Sequence, residues 1–121
     1  MARILVIDDE PLVLKTVKAF LEHAGHHVVE ACDGRTGVDL FAQESFDLVI
    51  ADILMPGREG IETIAILRGL KPAAKILAMS GGGRTGSIEF LSFAAKDGAG
   101  ATIKKPFSRS EFMEKVSSLL G

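Results

Sequence analysis

The sequence contains little that could cross-link the chain or carry it through a membrane. Its single cysteine, Cys32, excludes an internal disulfide and suits a reducing compartment such as the cytoplasm. Its longest apolar runs are four residues, as in Ile4–Ile7, whereas a membrane-spanning helix needs roughly 20. The first residues lead directly into that run, which leaves no room for a signal peptide. We therefore expect a cytoplasmic protein with no membrane partner.

Neither sign of charge dominates. The chain has 14 Lys and Arg residues against 16 Asp and Glu residues, so its formal net charge is -2. Without a basic excess we expect no nucleic-acid partner. A hydrophobic fraction of 47% excludes an intrinsically disordered chain. The length of 121 residues is that of one domain, so we assign residues 1–121 to a single domain that folds without disulfide or metal.

Short apolar runs alternate with segments of helical spacing. Each run is apolar throughout, which is typical of parallel strands covered on both faces. The predicted strands are Ile4–Ile7, Val28–Val29, Leu48–Ala51, Ile76–Met79 and Ala101–Ile103. The predicted amphipathic helices are Pro11–Ala24, Gly34–Glu44, Ile61–Gly69, Ser87–Lys96 and Glu111–Leu120. The pattern predicts an α/β fold of (βα)5 type, with a doubly wound parallel sheet of order 2-1-3-4-5.

The helices have predictable core stripes and caps. Asp33 should cap the second helix, and Ser110, or alternatively Ser108, should cap the last. Pro11 fits the first turn of the first helix, where no N–H is needed. The predicted core-facing residues are Leu14, Val17 and Leu21, then Val38, Phe41 and Ala42, then Ile61, Ile64, Ala65 and Leu67, and finally Phe112, Val116, Leu119 and Leu120.

Reactive side chains follow the ends of four predicted strands. They are Asp8-Asp9, Asp52, Ser80 and Lys104-Lys105, and ligands of open α/β sheets bind outside the carboxyl ends of strands. At ~4 Å and an effective dielectric of ~20, each pair of carboxylates repels by about 4 kcal/mol, which a divalent cation would relieve. Oxygen ligands without His or Cys favour Mg²⁺. With an amine and a hydroxyl, such a site can hold a phosphoryl group, and an aspartate can accept it as an acyl phosphate.

Four sequence features together resemble the receiver domain of two-component response regulators, including single-domain regulators of the chemotaxis type. They are Asp8-Asp9, the D-x-x-M-P-x-x-x-G stretch of residues 52–60, Ser80, and Lys105-Pro106-Phe107. The resemblance covers the whole chain, in order and at the family's spacings, and implies the flavodoxin-like receiver fold. It also implies that a phosphohistidine donor, either a sensor histidine kinase or a histidine phosphotransfer protein of a phosphorelay, phosphorylates the chain.

The resemblance implies which residues accept the phosphoryl group and hold the metal. Asp52 matches the phosphoacceptor. Asp9 matches the direct Mg²⁺ ligand, and Asp8 would act largely through a metal-bound water. Asp52 and the backbone carbonyl of Leu54 would complete the protein ligands. The chemistry would be self-catalysed but would change a surface rather than release a metabolite, so we class the chain as a signalling domain and not an enzyme.

The resemblance also implies how the signal leaves the site. Lys105 would pair with the phosphoryl oxygens, and Ser80 would hydrogen-bond another oxygen and reorganise the loop after it. The peptide bond before Pro106 is typically cis in this family. The output surface would comprise the predicted fourth helix, fifth strand and fifth helix, and would bind a downstream protein. Its candidate partner contacts, which could equally pack in the core, are Ile88, Leu91 and Ala95.

Three positions depart from the family's common pattern. Thr102 stands at the switch position where the family usually has Tyr or Phe, so a ring movement cannot carry the signal here. We hypothesise that movement of the loop and the fourth helix carries it instead. Leu54 and Gly82 flank the expected path of the hydrolytic water, and neither side chain can orient one. We hypothesise that the acyl phosphate is long-lived, although Gly82 also leaves the site open.

Other interpretations remain at this point. A haloacid-dehalogenase-type phosphohydrolase would need a second acid two residues after its nucleophile, and Glu10 after Asp8 is a poor match. A second alternative is a receiver-like binding module that is never phosphorylated. Gly81, Gly83 and Gly86 form a G-x-G-x-x-G pattern, but no acid follows about 20 residues on, which argues against dinucleotide binding.

Simpler interpretations also exist for single residues. Asp8 and Asp9 could be the cap and first-turn acid of the first helix, and Lys105 could be a surface lysine. The histidines and cysteine at His23, His26-His27 and Cys32 lack a metal-ligand spacing, so we expect them to be solvated. The chain ends directly after the predicted fifth helix. It is therefore either a stand-alone regulator or a receiver excised from a longer protein, and a monomer or weak dimer.

Overall fold

The computed structural model describes residues 1–52, 59–80 and 101–121 of the chain, and the side chains of residues 59–61 lie outside the description. Several predictions fall outside these ranges. They concern the carbonyl of Leu54, the glycine-rich loop with Gly82, and the predicted helix Ser87–Lys96 with its candidate partner contacts Ile88, Leu91 and Ala95.

Strands and helices alternate as predicted from the first strand to the fourth, and a helix again follows the fifth strand. The strands are β1 (Arg3–Ile7), β2 (His27–Ala31), β3 (Leu48–Asp52), β4 (Ile76–Ser80) and β5 (Ala101–Lys104). The helices within the described ranges are α1 (Pro11–His23), α2 (Gly34–Gln43), α3 (Glu59–Leu70) and α4 (Arg109–Leu120). The last of these, α4, is the fifth helix of the sequence prediction. No helix in the described part of the chain is long and apolar enough to cross a bilayer.

The five strands form one parallel sheet in the order β2-β1-β3-β4-β5, which confirms the predicted topology. The register brings the strand ends together, because Ile7 lies opposite Ala51 and Asp52 lies opposite Met79. At the other side of β4, Ser80 lies opposite Lys104. The residues that end β3 and β4, and those that follow β1 and β5, therefore share one edge of the sheet.

Helices cover both faces of the sheet. Successive strand residues point to opposite faces, and in the Ile4–Ile7 part of β1 both sets are fully buried, which explains why this run is apolar throughout. One face packs against α2 and α3 through Phe41, Ile64 and Leu67. The other face packs against α1 and α4 through Leu14, Val17, Leu21, Phe112 and Val116.

Two predicted core positions are exposed. Ala42 and Ala65 lie at the solvent side of α2 and α3, so including them in the apolar stripes was wrong. Each lies one residue, or about 100° of helical rotation, beyond a buried neighbour, Phe41 and Ile64 respectively. The large side chains fill the space against the sheet, which leaves these alanines at the edge of the stripe.

The caps of two helices follow the sequence. Asp33 precedes α2 and its carboxylate accepts a hydrogen bond of 2.7 Å from the N–H of Thr36, which lowers the pKa of that carboxyl. Ser108, rather than Ser110, caps α4. Its hydroxyl accepts from the N–H of Glu111, and the Glu111 carboxylate accepts from the N–H of Ser108.

Candidate functional site

The predicted site residues meet at the carboxyl edge of the sheet. Asp8 directly follows β1, Asp52 and Ser80 end β3 and β4, and Lys105 follows β5. Backbone hydrogen bonds fix the two residues that lie beyond their strands. The N–H of Asp8 donates to the carbonyl of Ala31 at 3.1 Å, and that of Lys105 donates to the carbonyl of Ser80 at 2.7 Å.

Lys105 connects three carboxylates. Its Nζ lies 2.9 Å from Oδ2 of Asp8, 3.3 Å from Oδ2 of Asp52 and 3.6 Å from Oε1 of Glu10. Only 14% of the Lys105 side chain is exposed, so the interpretation as a surface lysine was wrong. The ammonium thus joins the ends of β1, β3 and β5 electrostatically.

Asp8 is held by hydrogen bonds to both of its carboxylate oxygens. It is fully buried, and each carboxylate oxygen has a donor: Oδ1 accepts from the N–H of Glu10 at 2.9 Å, and Oδ2 accepts from Lys105. Burial raises the pKa of Asp8 to about 6 against the opposing effect of these two hydrogen bonds, and the charge of Asp52 adds to the rise. For Lys105, burial acts to lower the pKa, but the hydrogen bond to Asp8 and the charge of Asp52 outweigh it and leave the pKa raised.

Four acids form a cluster around this ammonium. Carboxylate oxygens of Asp8, Asp9, Glu10 and Asp52 all lie within 4.8 Å of one another. Asp8 and Asp52 are buried, whereas Asp9 and Glu10 are exposed and open the cluster to solvent. An all-oxygen set with both buried and solvent-facing carboxylates fits a hard divalent cation that keeps part of its water shell.

Glu10 is the member of this cluster that the sequence analysis did not place in the site. Its signal was its position between the acid pair Asp8-Asp9 and Pro11. Glu10 is also the N-cap residue of α1, without a capping hydrogen bond from its side chain. The interpretation of Asp8 and Asp9 as cap and first-turn acid of that helix was therefore wrong.

Ser80 adds a buried hydroxyl at the same edge. The residue is fully buried, and its Oγ has no hydrogen-bond partner within the ranges that the structure describes. An unpartnered buried hydroxyl is costly, and a ligand that brings an acceptor would remove this penalty. Thr102 is half-buried in β5 opposite Ala78, and the peptide bond between Lys105 and Pro106 is cis, as the resemblance implied.

The histidines and the cysteine lie elsewhere. Cys32 is exposed, as are His23 and His27. His26 differs from the expectation of a solvated side chain, because it is half-buried and its Nδ1 accepts a hydrogen bond of 3.0 Å from the N–H of Ala2. It fixes the start of β1, at the end of the strand opposite to the acid cluster.

Comparison with known sequences agrees with this geometry. Residues 4–117 match the family model of the response regulator receiver domain. The chain belongs to this family. It is a receiver domain of two-component response regulators, of the CheY-like phosphoacceptor type, and the resemblance seen in the sequence is confirmed. Receiver domains are signalling domains that histidine kinases or phosphotransfer proteins phosphorylate.

Known relatives of this receiver domain include both longer and similarly short proteins. It is 30% identical over 120 residues to the transcriptional regulatory protein CpxR of Escherichia coli (strain K12), which covers 99% of this chain and 50% of CpxR. It is 32% identical over 123 residues to protein CcdB of Bacillus subtilis (strain 168), which covers 100% of this chain and 99% of CcdB. The receiver domain thus spans about half the length of CpxR.

A solved structure shows the same fold. The crystal structure of a CheY-like response regulator receiver domain protein from Methanospirillum hungatei JF-1 matches with a TM-score of 0.90 and 31% sequence identity. The match covers 99% of this receiver domain and 94% of that chain. The predicted flavodoxin-like receiver fold is therefore confirmed.

Proposed function

We propose that this receiver domain takes a phosphoryl group onto Asp52 from a phosphohistidine donor. The observation that carries the proposal is the position of the Asp52 carboxylate. It ends β3 at the sheet edge, is almost fully buried, and has Oδ2 3.3 Å from the Lys105 ammonium. A buried carboxylate beside a fixed cation is arranged to hold an anionic phosphoryl group next to itself.

The reaction transfers the phosphoryl group from the donor's imidazole nitrogen to a carboxylate oxygen of Asp52. An oxygen of the Asp52 carboxylate attacks phosphorus, and the bond between phosphorus and the donor's imidazole nitrogen breaks. That nitrogen keeps the electron pair and takes up a proton, while Asp52 becomes an acyl phosphate.

The surrounding residues would position the phosphoryl group. Lys105 would move from the carboxylates to the phosphoryl oxygens, and the Ser80 hydroxyl would donate to another oxygen. Asp8, Asp9, Asp52 and the carbonyl of Leu54 would hold Mg²⁺. When bound, this ion would neutralise the carboxylates and the charge of the incoming group. On this basis the receiver domain would catalyse its own phosphorylation.

The output surface is part of the same proposal. Its described portion consists of β5 and α4, and the loop after Lys105 contacts α4 directly. The Phe107 ring stacks on Phe112 with centroids 5.2 Å apart. A shift of this loop would therefore displace side chains that pack against α4. We propose that a downstream protein binds this face together with the predicted fourth helix. We also propose that the acyl phosphate of this chain is long-lived, and that its switch works without an aromatic ring at Thr102.

Intact-protein mass tests the acceptor, because the chain has neither Trp nor Tyr to report by fluorescence. Wild type, Asp52→Asn and the control Asp39→Asn, an exposed acid on α2, are incubated with Mg²⁺ and acetyl phosphate. We expect one added phosphoryl group in wild type and control, and none in Asp52→Asn. Borohydride reduction followed by peptide mapping should locate the adduct at Asp52.

Two results would overturn the proposal. One is an undiminished adduct in Asp52→Asn. The other is no adduct in wild type from either acetyl phosphate or a phosphohistidine donor protein, which would favour a binding module that is never phosphorylated.

A further inference from the structure

Glu10 lies at the solvent-facing side of the acid cluster, with an anchored backbone and an exposed side chain. Its backbone N–H is fixed by Oδ1 of Asp8 at 2.9 Å, whereas its side chain is 62% exposed. From this position its Oε1 reaches to 3.6 Å from the Lys105 ammonium. The backbone of Glu10 is thus anchored to the most buried acid, while its carboxylate lies between the ammonium and solvent.

The cluster carries more negative charge than Lys105 can balance. Four acids have oxygens within 4.8 Å of one another, and within the described residues one ammonium contacts three of them. Independently, the buried Ser80 hydroxyl has no partner among the described residues, which leaves it able to hydrogen-bond a ligand at this edge. A charge at the solvent-facing side acts with opposite sign on the two ligands that this site must take, a divalent cation and an anionic phosphoryl group.

We propose that Glu10 is a positioning residue that strengthens cation binding and slows the approach of anionic phosphodonors. This inference rests on the proposed function and deepens it. Glu10, at 3.6 Å, also competes with Asp52, at 3.3 Å, for the Lys105 ammonium. Replacing the carboxylate by an amide would therefore weaken cation binding and ease entry of the phosphodonor.

The size of the effect follows from the exposure of Glu10. A solvent-exposed charge is screened by water and salt, so its effect on a divalent cation a few ångströms away should be about fivefold in affinity at low ionic strength. The effect should decrease at about 1 M salt, where the screening length falls to ~3 Å.

The test measures two quantities in Glu10→Gln. Calorimetric titration gives the dissociation constant for Mg²⁺, and intact-protein mass gives the rate of phosphorylation by acetyl phosphate at saturating Mg²⁺. We expect the dissociation constant to rise about fivefold and the rate to rise about threefold, from the loss of one screened charge. The control Glu22→Gln makes the same charge change at the far end of α1, and both quantities should stay within about twofold of wild type.

Weaker Mg²⁺ binding together with faster phosphorylation distinguishes the proposed charge effect from a merely structural role of Glu10. A variant that merely disturbs the loop after β1 would bind Mg²⁺ more weakly and also react more slowly, and this outcome would overturn the proposal. An unchanged dissociation constant in Glu10→Gln would do the same. The conservative Glu10→Asp keeps the charge and should restore the Mg²⁺ affinity to within about twofold of wild type. A dissociation constant as high as that of Glu10→Gln would contradict the proposed charge effect.

Failure of the inference can be told from failure of the proposed function. If wild type binds Mg²⁺ and is phosphorylated while Glu10→Gln behaves identically, only the role of Glu10 is wrong. If wild type shows no saturable Mg²⁺ binding, the metal part of the proposed function and the role of Glu10 are both wrong.

Discussion

At the scale of single residues, the ammonium of Lys105 compensates charges that could not otherwise be buried. Asp8 is fully buried and Asp52 nearly so, and both contact this one side chain. Removing one partner of a buried ion pair leaves the other without compensation, which costs more than the pair itself contributes. The stability of the resting protein should therefore depend strongly on this residue.

Lys105→Met should lower the free energy of unfolding by about 3 kcal/mol at pH 7.5 without divalent cations, because Asp8 would be left as an unpaired buried charge. At pH 5 the loss should be smaller, since Asp8, with a pKa of about 6, can then take up a proton. Urea unfolding in EDTA measures both values. The control Lys104→Met changes the exposed neighbour and should have little effect, so equal losses in the two variants would contradict the assigned role.

At the scale of elements, the approach of α2 to the sheet depends on a residue without a side chain. A Cβ at Gly37 would collide with the side chain of Ile7 in β1, and Ile7 is fully buried and belongs to the core under α2. By contrast, a Cβ at Gly69 near the end of α3 would meet no atom within 4 Å. Of these two glycines, therefore, only Gly37 is required by close packing against the sheet.

Gly37→Ala and Gly69→Ala should change the free energy of unfolding in opposite directions. In Gly69→Ala the higher helix propensity of alanine should stabilise the protein by about 0.5–1 kcal/mol. In Gly37→Ala overpacking against Ile7 should outweigh this gain and give a net destabilisation of about 1–2 kcal/mol. Thermal or urea unfolding of the two variants provides the measurement. A stabilised Gly37→Ala would mean that α2 can move away from β1 at little energetic cost.

In the molecule as a whole, the alternation of strands and helices predicts the sheet, and the residues at the strand ends predict which side chains share its edge. Asp52, Ser80 and Lys105 each lie within one residue of a strand end, so the topology alone brings them together. Two features depended on the path of the loop after β1, which no periodicity describes: the double hydrogen bonding of Asp8 and the reach of Glu10 to Lys105.

The sequence predicted which face of each helix packs against the sheet better than it predicted which residues at the edge of that face are buried. Ala42 and Ala65 have apolar side chains at plausible spacings, but a small side chain gives little information about whether it is covered. The half-buried His26 was missed for a related reason. Its partner is the backbone N–H of Ala2, and backbone partners leave no pattern in the sequence.

The stability of the receiver domain should depend on pH through the protonation of Asp8, which is fully buried. The pKa of Asp8 is about 6 in the folded protein against 3.8 for an unperturbed aspartate, so between these values the folded state binds more protons than the unfolded state. This contribution therefore favours folding below pH 3.8 and is lost as the pH rises through about 6. A shift of about 2 pKa units corresponds to about 3 kcal/mol.

Asp8→Asn removes this titration, so urea unfolding of both proteins in EDTA from pH 7.5 to 4.5 measures it. The stability of wild type relative to Asp8→Asn should rise by about 2 kcal/mol as the pH falls. Asp33→Asn supplies a contrast of opposite sign, because the hydrogen bond from Thr36 lowers the pKa of Asp33 and its contribution is lost as the pH falls. If the difference between wild type and Asp8→Asn stayed flat across this range, burial would not govern the protonation of Asp8. The charge of the cluster would then have to be balanced in some other way than by the contacts of Lys105.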